Sequence, residues 1–567
     1  MKPLLLIAML SAALYVKAQE HYAIVIDEIM ADPSPQVGLP NNEWIELKNV
    51  STSPINIQNW RIADAAGQSG PMPSFILQPD SFIIVCTSSA VPLLSVFGKT
   101  IAVTSFPSLD NDGETLSLRS STGKTIYAVE YSSAWFNNEL KKDGGWTLEM
   151  VDTKNPCAMS DNWKASNSTT GGTPGYKNSV DAITTDNKAP LLLNAYTADS
   201  TTLILNFTEP LDSNLAAIVQ NYSIDNNVQF VTAVVLPPLF NKVQLTTASP
   251  LNPGIIYTIA AGNIADCNGN KITATAVKTG LPVDAATGEL IINEILFNPK
   301  PNGVDYVEVY NNSTKILDAS KLYIANKSSS GATANIKAFT TSAFYIFPEE
   351  YYILTENADL VALQYFVKDP LHVLTVSSMP SYPDDEGAVV LLNAQGSIID
   401  EVDYKDDWHF KLISNDEGVS LERIDPDGPS QQSTNWHSAA ASIGYGTPTY
   451  KNSQFKNSSG SASIVEISPK IFSPDNDGFN DIARIQYQTD APGYMANITI
   501  FDANGKVVKA LVRNEVLAAS GYYNWDGLND SKQKLPIGTY IVVTEIFNLQ
   551  GKKKQFKNTI VLARRLN

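Results

Sequence analysis

The residues with the most explicit chemistry lie in SPDNDGFND, positions 473–481. Asp475, Asp477 and Asp481 occupy the first, third and seventh places of a short loop, and Gly478 occupies the fourth. Glycine there lets the backbone turn so that carboxylates converge. Such an oxygen cage suits a hard cation, calcium above all, with the Phe479 carbonyl and the Asn480 amide as further ligands. The loop departs from the EF-hand, having no twelve-residue span that ends in Glu. The competing role is a tight turn in which Asp and Asn cap their own backbone. Similar strings, DNDGE at 110–114 and PDDEG at 383–387, fall between strands.

Acids also recur in EWIELKN (43–49) and DYVEVYN (305–311). Both read as half-buried strands. Alternation puts Glu43, Ile45 and Leu47 on one face and Trp44, Glu46 and Lys48 on the other, so the two glutamates cannot act as a paired acid and base. Glu28 and Glu294, in DEI and NEI, are expected to hydrogen-bond a turn. The four histidines, His21, His372, His409 and His437, form no H-x-x-x-H or Cys/His pattern. His437 stands where the first copy has Lys164, which suggests a rim position. No G-x-S-x-G elbow or phosphate loop occurs. No catalytic or cofactor-binding residue is assigned.

The elements that must carry these residues are strands. With 567 residues the chain is long enough for three to five domains. Its 43% hydrophobic and 17% charged residues argue for packed domains, and its Tyr, Phe, Val, Ile and Thr content favours pleated, half-buried surfaces. The first residues, Lys2 followed by an apolar run from Leu4 to Tyr15 and small residues at Val16 and Ala18, read as a secretory signal over 1–18. The mature chain is then expected to begin near Gln19. No later stretch is long and apolar enough for a membrane helix. A net charge of −18 works against nucleic-acid binding; the basic cluster Lys552–Lys554 with Arg564 and Arg565 lies at the extreme end. Three cysteines, Cys86, Cys157 and Cys267, make no disulfide framework and leave at least one thiol free. Cys86, inside FIIVC, reads as a core residue.

A long internal repeat organises the chain. AIVIDEIMADPSP (23–35) matches LIINEILFNPKP (290–301), WTLEMVD answers to VSLERID, DNW to TNW, and GTPGYKNS (172–179) to GTPTYKNS (446–453), all in the same order. The expected architecture is all-β: four tandem immunoglobulin-like β-sandwich domains over 19–180, 189–280, 288–453 and 464–567, joined by short linkers such as KNSSGSAS (456–463). In GTYIVVTEIF, alternation predicts an inward-facing strand.

The repeated module resembles the lamin-tail domain, through I-x-E-I, the EW/DY-[IV]-E-[LV]-x-N strand and the closing NW…GTPxYKNS. The middle segment resembles the bacterial Ig-like domains of surface-layer proteins through LNFTEPLD and IADCNGN. The end resembles the gliding-motility-associated C-terminal family through SPDNDGFND and the hook-capping Ig-like domain through GYYNWDGLNDSKQKLPIGTYIVV. These resemblances imply export through the type IX pathway, with 464–567 as a sorting domain. The expected function is a non-catalytic, secreted or surface-held spacer or adhesive protein, whose partners are the secretion machinery and cell-envelope or extracellular polymers, and not nucleic acid. An accessory polysaccharide-binding module is the alternative, with Trp60, Trp135, Trp408 and Trp525 as candidate platforms. A hydrolase with a dispersed carboxylate pair is the third.

Overall fold

The computed structural model describes residues 21–413, 415–455 and 462–564. The signal segment 1–18, most of the 456–463 seam and Arg565 lie outside them. The protein is mostly β, with 39% strand and 8% helix. It divides into two compact units, 1–251 with 257–279 and 252–256 with 280–567. Among the described residues no helix is long and apolar enough to cross a membrane.

In the first unit a six-stranded sheet runs in the order 163–165, 148–150, 24–30, 44–49, 82–86, 100–102. Only its last pair is parallel. Strands 61–63, 113–119 and 125–132 form a second sheet, and side chains from both sheets share one apolar core. The first strand, Ile24–Met30, breaks simple alternation. Ile26 pairs with Leu47 but Glu28 with Glu46, so Asp27 is the extra residue of a β-bulge. Without it Ile26 and Ile29 would face opposite ways; with it both join the core. Glu28 and Glu46 turn to the other face, which is covered as well: five of the six residues of Trp44–Asn49 are buried. The half-buried strand expected from sequence is therefore enclosed on both sides.

The same unit holds sheets of 192–197, 202–207, 242–247, 230–236 and of 222–224, 257–261, 275–279. A disulfide, Cys157–Cys267, joins this segment to the preceding sandwich across 110 residues. Cys86 is free and buried, as its apolar context predicted.

The second unit repeats the first sheet strand for strand: 436–438, 421–423, 290–296, 306–311, 351–355, 373–375. The bulge recurs between Ile292 and Glu294, with Asn293 in the place of Asp27. Beyond it lies a five-stranded sheet of 471–472, 553–562, 538–547, 495–502, 507–516 and a three-stranded one of 464–468, 483–488, 520–525. Strand Gly538–Phe547 buries every second residue from Tyr540 to Ile546, as the alternation predicted. Phe410 packs in one buried cluster with Met495 and Val516, and Gln454 Nε2 donates to the Leu517 carbonyl at 2.9 Å. Described residues on either side of 456–463 therefore share an apolar contact.

Candidate functional site

The pairing of strands brings three glutamates into a row that no sequence interval announces. Glu28 stands opposite Glu46 on one side and Glu149 on the other. In the second copy Glu294 stands opposite Glu308 and Glu422. All six are fully buried. A carboxylate in such a place needs donors, and the closing GTPxYKNS segment supplies many of them.

In the first copy the Thr173 N–H and the Thr147 hydroxyl donate to Glu28 Oε1 at 2.7 and 2.6 Å. The Thr173 hydroxyl donates to Glu149 Oε1 at 3.0 Å, and the Ser179 hydroxyl and Val180 N–H to Glu149 Oε2. Gly175 N–H donates to Glu46 Oε2. In the second copy Glu294 accepts from the Tyr306 hydroxyl at 2.6 Å, the Ser420 hydroxyl, and both the N–H and hydroxyl of Thr447. Glu422 accepts from Ser453 and Gln454, and Glu308 from Thr449 N–H at 2.6 Å. The donor at that last position needs a left-handed backbone, with φ +83° at Gly175 and +70° at Thr449. Asn178 and Asn452 clamp the loop by donating to main-chain carbonyls of two strands each.

Burial, then the neighbouring carboxylates, pushes Glu28, Glu46 and Glu308 well above the ordinary carboxylate range, and Glu422 up to about 8. Burial also raises Glu294, against the pull of its donors. Glu28 and Glu294 bond a turn, as the sequence suggested; Glu149, Glu308 and Glu422 were missed. The available signal was a glutamate with at least one apolar neighbour inside a strand three times per copy, together with a closing loop that carries Ser and Thr.

The copies differ at the bulge. Asn293 Nδ2 donates to Glu308 Oε1 and to Asn452 Oδ1, both at 2.7 Å. In the first copy Asp27 replaces that amide, and Asp27 Oδ1 and Glu46 Oε1 are buried without partners. Burial pushes Asp27 up to about 7. An acid raised in the fold stabilises it most below the ordinary carboxylate range and loses that contribution as pH rises from about 4 toward about 7. Asp27→Asn is therefore expected to stabilise the first copy by about 1–3 kcal/mol at pH 8 and to change little at pH 4, measured by urea unfolding at both.

The Asp475, Asp477 and Asp481 carboxylates do converge, with one oxygen of each within 4.8 Å of the others. They are exposed or half-exposed. Asp481 accepts from the N–H groups of Asp475, Asn476 and Gly478, and Asp477 from Phe479 N–H at 2.9 Å. The loop is thus closed by its own backbone. Neither DNDGE nor PDDEG brings three acids together among the described residues. His437 is partly buried: its ring packs 4.9 Å from Phe410, and burial lowers its pKa. Trp60 and Trp525 are enclosed in cores, which removes them as platforms. Trp135 and Trp408 are partly buried beside Trp163 and Trp436.

Family models match this pattern. The lamin tail domain matches residues 17–133 and 284–406, and the CHU_C type IX secretion signal domain matches 466–562. The chain carries two lamin tail domains and a C-terminal type IX secretion signal domain. Both glutamate rows therefore begin in lamin tail domains, on strands 24–30 and 290–296, and end in closing loops beyond the matched spans. The secretion signal domain gives a secreted or cell-surface location and an interaction with the secretion machinery. Among solved structures, the N-terminal part of the bacterial S-layer protein SbsC is similar at 16% identity over 29% of this chain, TM-score 0.17. The chain spans 40% of that structure's length. A DUF4876 family protein from Bacteroides thetaiotaomicron shares 16% identity over 37% of this chain and 85% of its own, TM-score 0.17. A Ca²⁺-stabilized adhesin of an Antarctic bacterium shares 8% over 97% and 100%, TM-score 0.12. No curated protein sequence matches.

Proposed function

We propose that this protein is a non-catalytic structural or adhesive spacer of the cell surface, built of four sandwiches and engaging cell-envelope or extracellular polymers. The observation that carries the reading is the fate of its best acids. In both lamin tail domains the glutamates that could form catalytic pairs are sealed in the interior and held by the same closing loop. Duplication has copied a packing device. Calcium at Asp475, Asp477 and Asp481 belongs to the same proposal; the convergence of the three carboxylates supports it, and the titration described below tests it.

Fractionation of cells making the full chain, beside a form ending at Ser463, tests the reading. The full chain is expected at the surface and the shortened form inside. Because Met495 and Val516 cover Phe410, circular dichroism of the shortened form must first show that it folds. Unchanged surface location overturns the sorting role. Turnover of a polysaccharide or peptide by the purified chain, abolished in a folded Glu28→Gln, Glu294→Gln variant, overturns the non-catalytic one.

A further inference from the structure

A second trio of acids lies where the segment after the first lamin tail domain meets the middle sheets, within the first unit. Asp186, Glu209 and Asp266 each place a carboxylate oxygen within 4.8 Å of the other two. Asp266 and Asp186 have local partners: Asp266 accepts from the N–H groups of Asn268 and Asn270, and Asp186 Oδ2 from Asn268 Nδ2 at 3.0 Å. Glu209 is different. It is only 9% exposed, yet among the described residues it accepts no hydrogen bond and forms no ion pair, while its carboxylate points into the trio. The nearest lysine in sequence, Lys188, pairs directly with Asp161 and reaches Glu209 only through its field.

We propose that Asp186, Glu209 and Asp266 hold one calcium ion. The donors are all hard oxygens, and a spread of 4.8 Å is about twice a calcium–oxygen distance, so a central ion can touch all three. A buried carboxylate without a donor is costly beside two others; burial and then the charges of Asp266 and Asp186 push Glu209 up to about 7. A divalent cation removes that cost without a proton. The position explains what the ion would do. Asp186 belongs to the connecting segment, Glu209 follows the strand Thr202–Phe207, and Asp266 precedes Cys267 of the disulfide. Bound calcium ties the connecting segment to the middle sheets beside the covalent link.

Thermal unfolding and calorimetric titration of the full oxidised chain with calcium test this, at concentrations up to about 1 mM, the range of extracellular calcium modules. The measurement is repeated for Glu209→Gln, for Asp186→Asn, and for a triple variant with Asn at 475, 477 and 481. The expected result is a calcium-dependent rise in Tm of a few degrees that persists in the triple variant. In Glu209→Gln and Asp186→Asn the affinity is weaker by about tenfold or more. Glu209 makes no bond that glutamine would break, so its variant is expected to fold; Asp186→Asn reports independently if it does not. A rise that vanishes in the triple variant, an equal rise in both single variants, or no rise at all overturns the proposal.

Discussion

Replacing Glu294 by alanine is expected to destabilise the second lamin tail domain by about 3–5 kcal/mol, read from urea unfolding at pH 7. Tyr306, Ser420 and Thr447 all aim donors at its two oxygens. Removing the acceptor leaves those donors buried and unpaired, at about 1–3 kcal/mol for each that finds no water. Glutamine is expected to fall between wild type and alanine, because donors approach both oxygens and an amide offers one acceptor only. A loss below about 1 kcal/mol for alanine would show that the loop repacks without the row.

The second large effect concerns the bridge. Cys157–Cys267 closes a loop of 110 residues, and the chain-entropy account gives such a loop about 4–5 kcal/mol. Reduction, or Cys157→Ser, is expected to lower the unfolding midpoint of the first unit sharply and to free the middle sheets from the lamin tail domain. Cys86→Ala serves as the control: that thiol is buried and unbridged, so its removal should leave the response to reductant unchanged. Equal stability of oxidised and reduced chains would remove the bridge from the account.

Much of this was legible in the sequence, because duplication and alternation are local properties. The division of EWIELKN into an Ile45, Leu47 face and a Trp44, Glu46 face survives in the structure, as does the alternating burial from Tyr540 to Ile546. What was not legible depends on distant segments meeting. The bulge at Asp27 shows only as a shift of register between strands. The row needs Glu28, Glu46 and Glu149 on three strands, and all its donors but Thr147 come from residues 173–180. Nothing near Cys157 names Cys267 as its partner. His437 looked peripheral because the first copy has Lys164 in its place, whereas Phe410 is what it meets in space.

The closing loop also sets an order of events. Thr173 and Glu28 are 145 residues apart, and Thr447 and Glu294 are 153 apart. The opening strand of each copy cannot complete the enclosure of its acids until the last turn of the same copy has been made, because the closing-loop donors at Thr173 and Thr447 are absent before that. A chain emerging with its N-terminal end first would therefore hold each module ajar almost to its final residue, then shut it in one late step from the far end.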